Sequence, residues 1–280
     1  MKILPPENEA RLTQLTNAAQ GNGITDVVQV MISRWLDWLP SNRLLYQHDR
    51  VALPPLELRA AGQLFRSDAS FCRFARRDVE AVARHTSLAG KSLLDFGCGA
   101  GRFYFGLRRR HEPAFYLGVD VRADVIAWAE QHVSLANSRF QFARSNVHNE
   151  RYNPHGTLNN RDWTRVVRQP FDVIQCYSVL SHLILDDATE VLDLFASLMK
   201  SESLLFLTAF VSENSDDVAL NPDDMGIDIH GPLHVVRYRR SYFHDMLSRH
   251  FHIVDEQAGV ATDGQTLFIL RLRKVRGSDS

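Results

Sequence analysis

Residues 93–102 read Leu93-Leu94-Asp95-Phe96-Gly97-Cys98-Gly99-Ala100-Gly101-Arg102 in this chain of 280 residues. The apolar residues that open the stretch predict a short buried strand, and the glycines allow a tight turn before a helix begins. A strand that passes through a glycine-rich turn into a helix is typical of sheets that bind a ligand at their carboxyl edge. The stretch therefore predicts an α/β fold with a ligand site at this loop.

The residues around the glycines narrow the class of ligand. A dinucleotide fingerprint would have glycine at the place of Arg102, because a large side chain prevents the close packing of helix and strand. A phosphate-binding loop would need Lys followed by Ser or Thr after its glycines, and this loop has neither. Asp95 suits a ligand that carries an ammonium group, since a carboxylate would repel a pyrophosphate. Asp120, which ends the next predicted strand, can accept hydrogen bonds from both ribose hydroxyls of a bound nucleoside, and it therefore does not distinguish a dinucleotide from another nucleoside ligand.

Short apolar strands alternate with helical stretches from Gly90 onward, which predicts a parallel sheet covered on both faces. The predicted strands are Ser92–Phe96, Phe115–Asp120, Phe140–Arg144, Phe171–Tyr177 and Leu204–Ala209. The predicted helices lie near Gly101–Arg110, Ala123–Asn137, Asp187–Lys200 and Ser241–His250. The turn signal Asp263-Gly264 precedes the last of two further strands, His252–Glu256 and Thr266–Arg273, which are expected to pair as an antiparallel hairpin.

The first part of the chain, residues 1–88, is predicted to be a helical extension or cap on a domain at residues 89–275. Apolar residues between Ile24 and Leu39 recur at a spacing of three and four, which indicates an amphipathic helix that Pro40 ends. A second helix is expected to run to about His85, capped by Asp68 or Ser70.

The glycine loop resembles motif I of the class I S-adenosylmethionine-dependent methyltransferases of small molecules. Gly118-Val119-Asp120 resembles the acidic strand end that binds the ribose in this family, and residues 171–183 resemble its fourth strand and the turn that follows. The resemblance covers about Ala89 to Lys274. It implies a Rossmann-like, doubly wound, seven-stranded sheet, mostly parallel with a C-terminal antiparallel hairpin, and it implies S-adenosylmethionine as the cofactor of a methyltransferase.

The resemblance also implies which residues contact the cofactor. The methionine end would be lined by Asp95, Gly97, Cys98, Gly99 and Gly101, and the ribose by Asp120 and Val121. The adenine would be lined by Ser145, Asn146 and Val147, and the methyl group by Cys176 and Tyr177. Many relatives have Asp at the place of Asn146, whose amide can also face the adenine edge. For Cys176 the alternative of a buried small hydrophobic residue stays open.

Methyl transfer from a sulfonium requires few catalytic groups, because the donor is already activated and the protein mainly positions the acceptor. A hydroxyl acceptor would benefit from a general base, and His182, one short turn after the fourth strand, is the first candidate. The alternative is that His182 caps or packs against the neighbouring helix. His230 is the rival base, and it lies with His234 in an insertion at residues 211–238 that is long enough to form a lid.

Small-molecule specificity is expected to come from Arg59, Arg66, Phe71 and His234, although each of the first three could equally be a surface or core residue. The favoured acceptor is a sugar-like or secondary-metabolite hydroxyl. Two other hypotheses remain open, a noncatalytic partner or regulatory subunit that binds S-adenosylmethionine and an RNA methyltransferase. The latter would require a concentrated basic face.

Composition sets the remaining limits on function. The formal net charge of -1 and pI of about 6.9 give no reason to expect nucleic acid or a membrane surface as a partner. Three widely spaced cysteines, and a start of the chain that lacks the apolar run of a signal peptide, favour the cytoplasm. Adjacent aspartates suggest a magnesium site, but such pairs more often cap helices or lie in turns, so no metal is predicted. These pairs are Asp186-Asp187, Asp216-Asp217 and Asp223-Asp224.

Overall fold

The computed structural model describes residues 53–59, 65, 67–108, 110–135, 137–225, 235–259 and 264–273. The helix predicted between Ile24 and Leu39 lies outside these residues, as does most of the predicted N-terminal extension. The predicted division at residue 88 or 89 therefore stays a prediction.

Nine strands form one mixed sheet within the described part of the chain. They are β1 (Ser92–Phe96), β2 (Phe115–Asp120), β3 (Phe140–Arg144), β4 (Phe171–Cys176), β5 (Met199–Ser212), β6 (Val218–Leu220), β7 (Val236–Arg239), β8 (Phe251–Gln257) and β9 (Thr266–Leu272). The first five lie side by side in the order β3-β2-β1-β4-β5 and are all parallel. Their carboxyl ends therefore meet at one edge, where the glycine loop begins.

β5 is longer than its neighbours and pairs with two different strands on the side away from β4. Its segment Leu205–Ala209 pairs antiparallel with β9, which pairs antiparallel with β8. Its end, Phe210–Ser212, pairs parallel with β7, to which β6 adds antiparallel. The order 3-2-1-4-5-9-8 confirms the predicted Rossmann-like sheet with its C-terminal hairpin. Two additional strands follow β5: β6 lies within the insertion predicted at residues 211–238, and β7 ends one residue beyond it.

Five α-helices accompany the sheet in the described residues. They are α1 (Asp68–Ala83), α2 (Arg102–Leu107), α3 (Ala123–Ala129), α4 (Leu185–Leu198) and α5 (Arg240–Ser248), and a π-helical turn at Glu130–Ser134 continues α3. The predicted cap of α1 is wrong by one position or more. The Ser67 Oγ accepts from the Ser70 N–H at 3.2 Å, because Ser67 has the extended backbone that a capping residue needs. Asp68 instead occupies the first turn, where its charge favours the helix dipole.

The central strands bury both faces, which explains why they read as nearly continuous apolar runs. On β1, Leu94 faces the layer that contains α4 and α5, and Leu93 faces the layer of α1, α2 and α3. Within the second layer, α2 approaches α1 closely at Gly106, where a Cβ atom would lie 2.1 Å from the Ala75 carbonyl oxygen. This packing fixes the start of α2, and with it Arg102, beside the carboxyl edge of the sheet.

Candidate functional site

The glycine loop connects β1 to α2 and is tied to the end of β2. The N–H groups of Gly97 and Cys98 both donate to the Val119 carbonyl, at 2.8 and 3.0 Å. Gly97, Gly99 and Gly101 have positive φ angles of 74°, 52° and 80°, a region that residues with a side chain rarely adopt. The predicted role of these glycines in turning the backbone is confirmed.

Gly97 has a second reason to lack a side chain. A Cβ atom at this position would lie 2.3 Å from Cγ2 of Val179, which belongs to the turn after β4. The turn after β4 therefore presses directly against the glycine loop, and the two segments share one edge of the site.

Asp95 is 4% exposed and accepts a hydrogen bond from the Tyr116 hydroxyl at 2.6 Å. Burial raises the pKa of this carboxyl group to about 7, against the opposing effects of the Tyr116 hydrogen bond and the Arg102 charge. The nearby carboxylates of Asp120 and Asp78 contribute further to the increase. A cationic group placed beside Asp95 would stabilise its ionised form.

Asp120 joins the glycine loop to the segment that follows β2. Its Oδ2 accepts from the Gly99 N–H at 2.8 Å, and its Oδ1 accepts from the Arg122 N–H at 2.9 Å. Burial raises the pKa of Asp120, and these two N–H groups act against the increase. A carboxylate has about four acceptor sites, so this one retains capacity for the two hydroxyls of a ribose.

The segment after β3 holds the residues predicted to meet the adenine. The Asn146 Oδ1 accepts from Arg144 and Asn153, both at 3.1 Å, and its Nδ2 donates to the Thr157 hydroxyl at 3.1 Å. Its amide thus mainly organises the connection between β3 and β4. Ser145, which is adjacent, has a buried hydroxyl with no hydrogen-bond partner among the described residues.

Three other members of the predicted cofactor set also have packing roles. Val147 is buried in the layer of α4 and α5, and Val121 packs against the same layer. Cys176 is fully buried in that layer, and burial raises the pKa of its thiol. Their predicted contacts with the ribose, the adenine and the methyl group stay predictions.

Tyr177 directly follows β4, and its ring lies beside the Arg102 guanidinium on the side of the sheet that α1 covers. The Arg102 guanidinium lies 4.3 Å from the centroid of the Tyr177 ring and 3.0 Å from the Asp78 carboxylate in α1. Arg102 therefore links the glycine loop, α1 and the turn after β4. Its contribution was not predicted, because the sequence indicated only that it is too large for a dinucleotide fingerprint.

His182 lies in a 3₁₀ turn, Leu180–His182, and its ring meets the Tyr152 ring edge to face with centroids 5.4 Å apart. The His182 N–H donates to the Val179 carbonyl at 2.9 Å, and its carbonyl accepts from Asn149 at 3.2 Å. These contacts direct it toward the connection between β3 and β4. Its role as a base stays a prediction, and the rival His230 lies outside the described residues.

Of the predicted substrate residues in the N-terminal part, Arg59 lies ahead of α1 and Phe71 lies within it, and both take part in packing. Arg59 donates to the carbonyls of Pro54 and Phe65, at 2.8 and 3.2 Å, and forms an ion pair with Asp68. Its guanidinium also lies 5.0 Å from the centroid of the buried Phe71 ring. Substrate contacts of Arg59 and Phe71 remain predictions, and Arg66 and His234 lie outside the described residues.

One aspartate of each adjacent pair is engaged with a neighbouring side chain. Asp187 accepts from Asn160 at 2.8 Å, Asp224 pairs with Arg237 at 2.8 Å, and Asp217 pairs with Arg239. Within the ranges that the structure describes, no three His, Cys, Asp or Glu side chains converge as metal ligands would. No described helix has the length and apolar character needed to span a membrane.

Part of this chain is similar in sequence to known proteins. Residues 94–205 match the family model of a methyltransferase domain. The ubiquinone biosynthesis O-methyltransferases of Neisseria meningitidis serogroup C (strain 053442) and of serogroup A / serotype 4A (strain DSM 15465 / Z2491) are each 30% identical to this chain over 130 residues. The match covers 46% of this chain and 48% of each relative, so the chain spans about half the length of these curated relatives.

Solved structures share the fold at low sequence identity. The pyocyanin biosynthetic protein PhzM superposes with a TM-score of 0.52 at 15% identity, over 75% of this chain and 58% of its own. Magnesium protoporphyrin IX methyltransferase from Synechocystis PCC 6803, solved with bound S-adenosylmethionine, gives 0.51 at 14% identity, over 88% of this chain and 97% of its own. Both likenesses concern the architecture of the sheet and its helices.

Proposed function

We propose that this chain is a class I S-adenosylmethionine-dependent methyltransferase that transfers the methyl group of this cofactor to a small-molecule acceptor; the match of residues 94–205 to the family model of a methyltransferase domain supports this. The acceptor atom that we propose is the oxygen of a hydroxyl group, on a sugar-like compound or a secondary metabolite. The curated relatives are named as O-methyltransferases, which supports oxygen as the acceptor atom.

The placement of Asp95 and Asp120 on either side of the glycine loop carries this proposal. Asp95 offers a buried carboxylate to the ammonium group of the cofactor, and Asp120 has acceptor sites left for its ribose. Asp120 would suit the ribose of either a dinucleotide or S-adenosylmethionine, whereas the Asp95 carboxylate would repel a pyrophosphate, so Asp95 is the residue that favours a cationic nucleoside.

The bound cofactor would supply an activated methyl group. The protein's own contribution would be to orient the acceptor in line with the sulfonium and to exclude water. A hydroxyl acceptor must also lose a proton, and we propose His182 for this step because it follows β4 at the carboxyl edge.

Titration calorimetry with S-adenosylmethionine tests the cofactor site. Asp120→Ala removes acceptors for two ribose hydroxyls and for the Gly99 N–H, so affinity should fall by about tenfold to a hundredfold. Asp245→Ala, on the exposed side of α5, is the matched control and should bind like the wild type. Absence of binding to the wild-type protein would refute the proposed function.

The acceptor requires a separate experiment. Labelled cofactor, incubated with the protein and a panel of hydroxylated metabolites, should label at least one hydroxyl compound. His182→Ala should then retain cofactor affinity while turnover falls roughly a hundredfold or more. His250→Ala, which removes a surface histidine paired with Asp193, should leave turnover unchanged. Unchanged turnover in His182→Ala would assign that residue to packing.

A further inference from the structure

A closed ring of hydrogen bonds lies directly behind the turn that follows β4. The Ser178 N–H donates to the Thr208 hydroxyl at 2.8 Å, and that hydroxyl donates to Gln265 Oε1 at 2.8 Å. The Gln265 Nε2 completes the ring by donating to the Ser178 Oγ at 2.7 Å. Thr208 is 1% exposed and Gln265 is 0% exposed, so water does not compete for these bonds.

The ring holds a residue in an unfavourable backbone conformation. Ser178 has a φ of 56°, in the left-handed region that residues with a side chain seldom occupy. Such a conformation persists only where the surrounding structure fixes it, and here both its N–H and its hydroxyl are held from β5 and from the start of β9. Its Oγ also lies 3.2 Å from the hydroxyl of Ser181, which is fully buried in the next turn.

The residues on either side of Ser178 contact the glycine loop. Tyr177 carries the Arg102 guanidinium on its ring at 4.3 Å, and Val179 occupies the space beside Gly97. Any change in the backbone of Ser178 would therefore move both contacts. The turn that contacts the glycine loop is thus strained, and it is held by one side chain from β5 and one from the residue that precedes β9.

We infer that Thr208 and Gln265 are positioning residues for methyl transfer, which hold the turn Tyr177-Ser178-Val179 against the glycine loop and thereby set the geometry of the cofactor site. This inference rests on the proposed function. It assigns a role to the C-terminal hairpin beyond closing the sheet, because Gln265 directly precedes β9.

The test compares cofactor affinity in variants of Thr208. Thr208→Val keeps the shape of the side chain but leaves the Ser178 N–H and Gln265 Oε1 without their partner, and affinity for S-adenosylmethionine should fall about tenfold. Thr208→Ser keeps the hydroxyl and should bind within about twofold of the wild type. Thr189→Val removes a hydroxyl hydrogen bond of equal length, 2.8 Å, from α4 and should also bind normally.

Ser178→Gly is a second variant that tests the positioning role if Thr208→Val does not fold. The turn loses the hydroxyl that Gln265 holds, but glycine accepts the left-handed conformation without strain, and because this gain offsets the lost hydrogen bond the melting temperature should stay close to that of the wild type. Affinity should therefore weaken several-fold while stability is retained, a combination that a purely structural role would not produce. Wild-type affinity in folded Thr208→Val or in Ser178→Gly would overturn the inference. A wild-type protein that does not bind the cofactor would refute the proposed function instead.

Discussion

Asp95 is a buried carboxyl group whose pKa lies close to neutral pH. Burial raises its pKa to about 7, while the Tyr116 hydroxyl and the Arg102 charge favour the ionised form. In the free protein at neutral pH this group is therefore only partly ionised. A bound ammonium group would favour ionisation, so cofactor binding is expected to release a proton.

This linkage predicts that affinity for S-adenosylmethionine decreases as the pH falls through about 7. Asp95→Asn should bind more weakly above that pH and should lose most of the dependence, because its amide resembles the neutral carboxyl. Calorimetry at a series of pH values on both proteins checks this, and the comparison cancels the titration of the cofactor itself. The same dependence in both proteins would contradict the assignment to Asp95.

The same residue affects the stability of the free protein. The pKa of Asp95 is higher in the folded state than its ordinary value of 3.8, so its stabilising contribution is complete below about pH 4 and is lost as the pH rises through about 7. Asp95→Asn should accordingly melt at a higher temperature than the wild type above pH 7, and the difference in melting temperature should shrink as the pH falls toward 4.

At the scale of single residues, the sequence predicted the members of the glycine loop and its two aspartates better than the side chains that contact them. Asp95, Asp120 and the glycines follow from their order along the chain. Tyr116 and Arg102 do not, because their contacts depend on which strands pair and on how α2 packs against α1. A tyrosine two residues before Gly118 on the same strand face was the available signal for a partner of Asp95.

At the scale of the elements, the glycine loop and the turn after β4 act as one unit. Gly97→Ala would place a methyl group 2.3 Å from Val179, in addition to the strain of a φ of 74°. Gly90→Ala is a matched control, since its φ is 71° and no atom lies within 4 Å of the added group. We expect Gly97→Ala to be less stable than the control by about 1–3 kcal/mol.

Urea unfolding and cofactor titration of both glycine variants measure this difference. Gly97→Ala should lose at least about tenfold in affinity for the cofactor. Gly90→Ala should lose only the stability that its backbone strain costs, and it should bind the cofactor normally. Equal losses in the two variants would mean that the contact with Val179 is unimportant.

Element boundaries follow from the sequence where the apolar runs are sharp. β1, β2 and β3 have the predicted bounds, because each is a short run between turn residues. β6 and β7 were not predicted, since they have only three and four residues, and in β7 arginines follow Val236 and Tyr238. β7 is a strand because it pairs with the end of β5, and β6 is one because it pairs with β7.

At the scale of the whole molecule, the sheet brings distant parts of the chain to one edge. Asp95, Ser178 and Gln265 come from three regions of the sequence and meet because β1, β4, β5 and β9 are neighbours. The predicted sheet placed the glycine loop and β4 at this edge. The hydrogen-bond ring could not be predicted, because it requires the register of β5 with β9.

The two strands that pair with β5 on the side away from β4 have a consequence for how the molecule opens. Leu205–Leu207 lies between β4 and β9, whereas Phe210–Ser212 is held by β7, whose other neighbour is the three-residue β6. Amide hydrogen exchange should therefore divide one continuous strand into a segment that exchanges only on global unfolding and a segment that exchanges by local opening. Exchange measured by mass spectrometry or NMR would show a step near Ala209, and uniform protection would contradict it. β5 would then contain the hinge, near Ala209, about which β6 and β7 detach from the rest of the sheet.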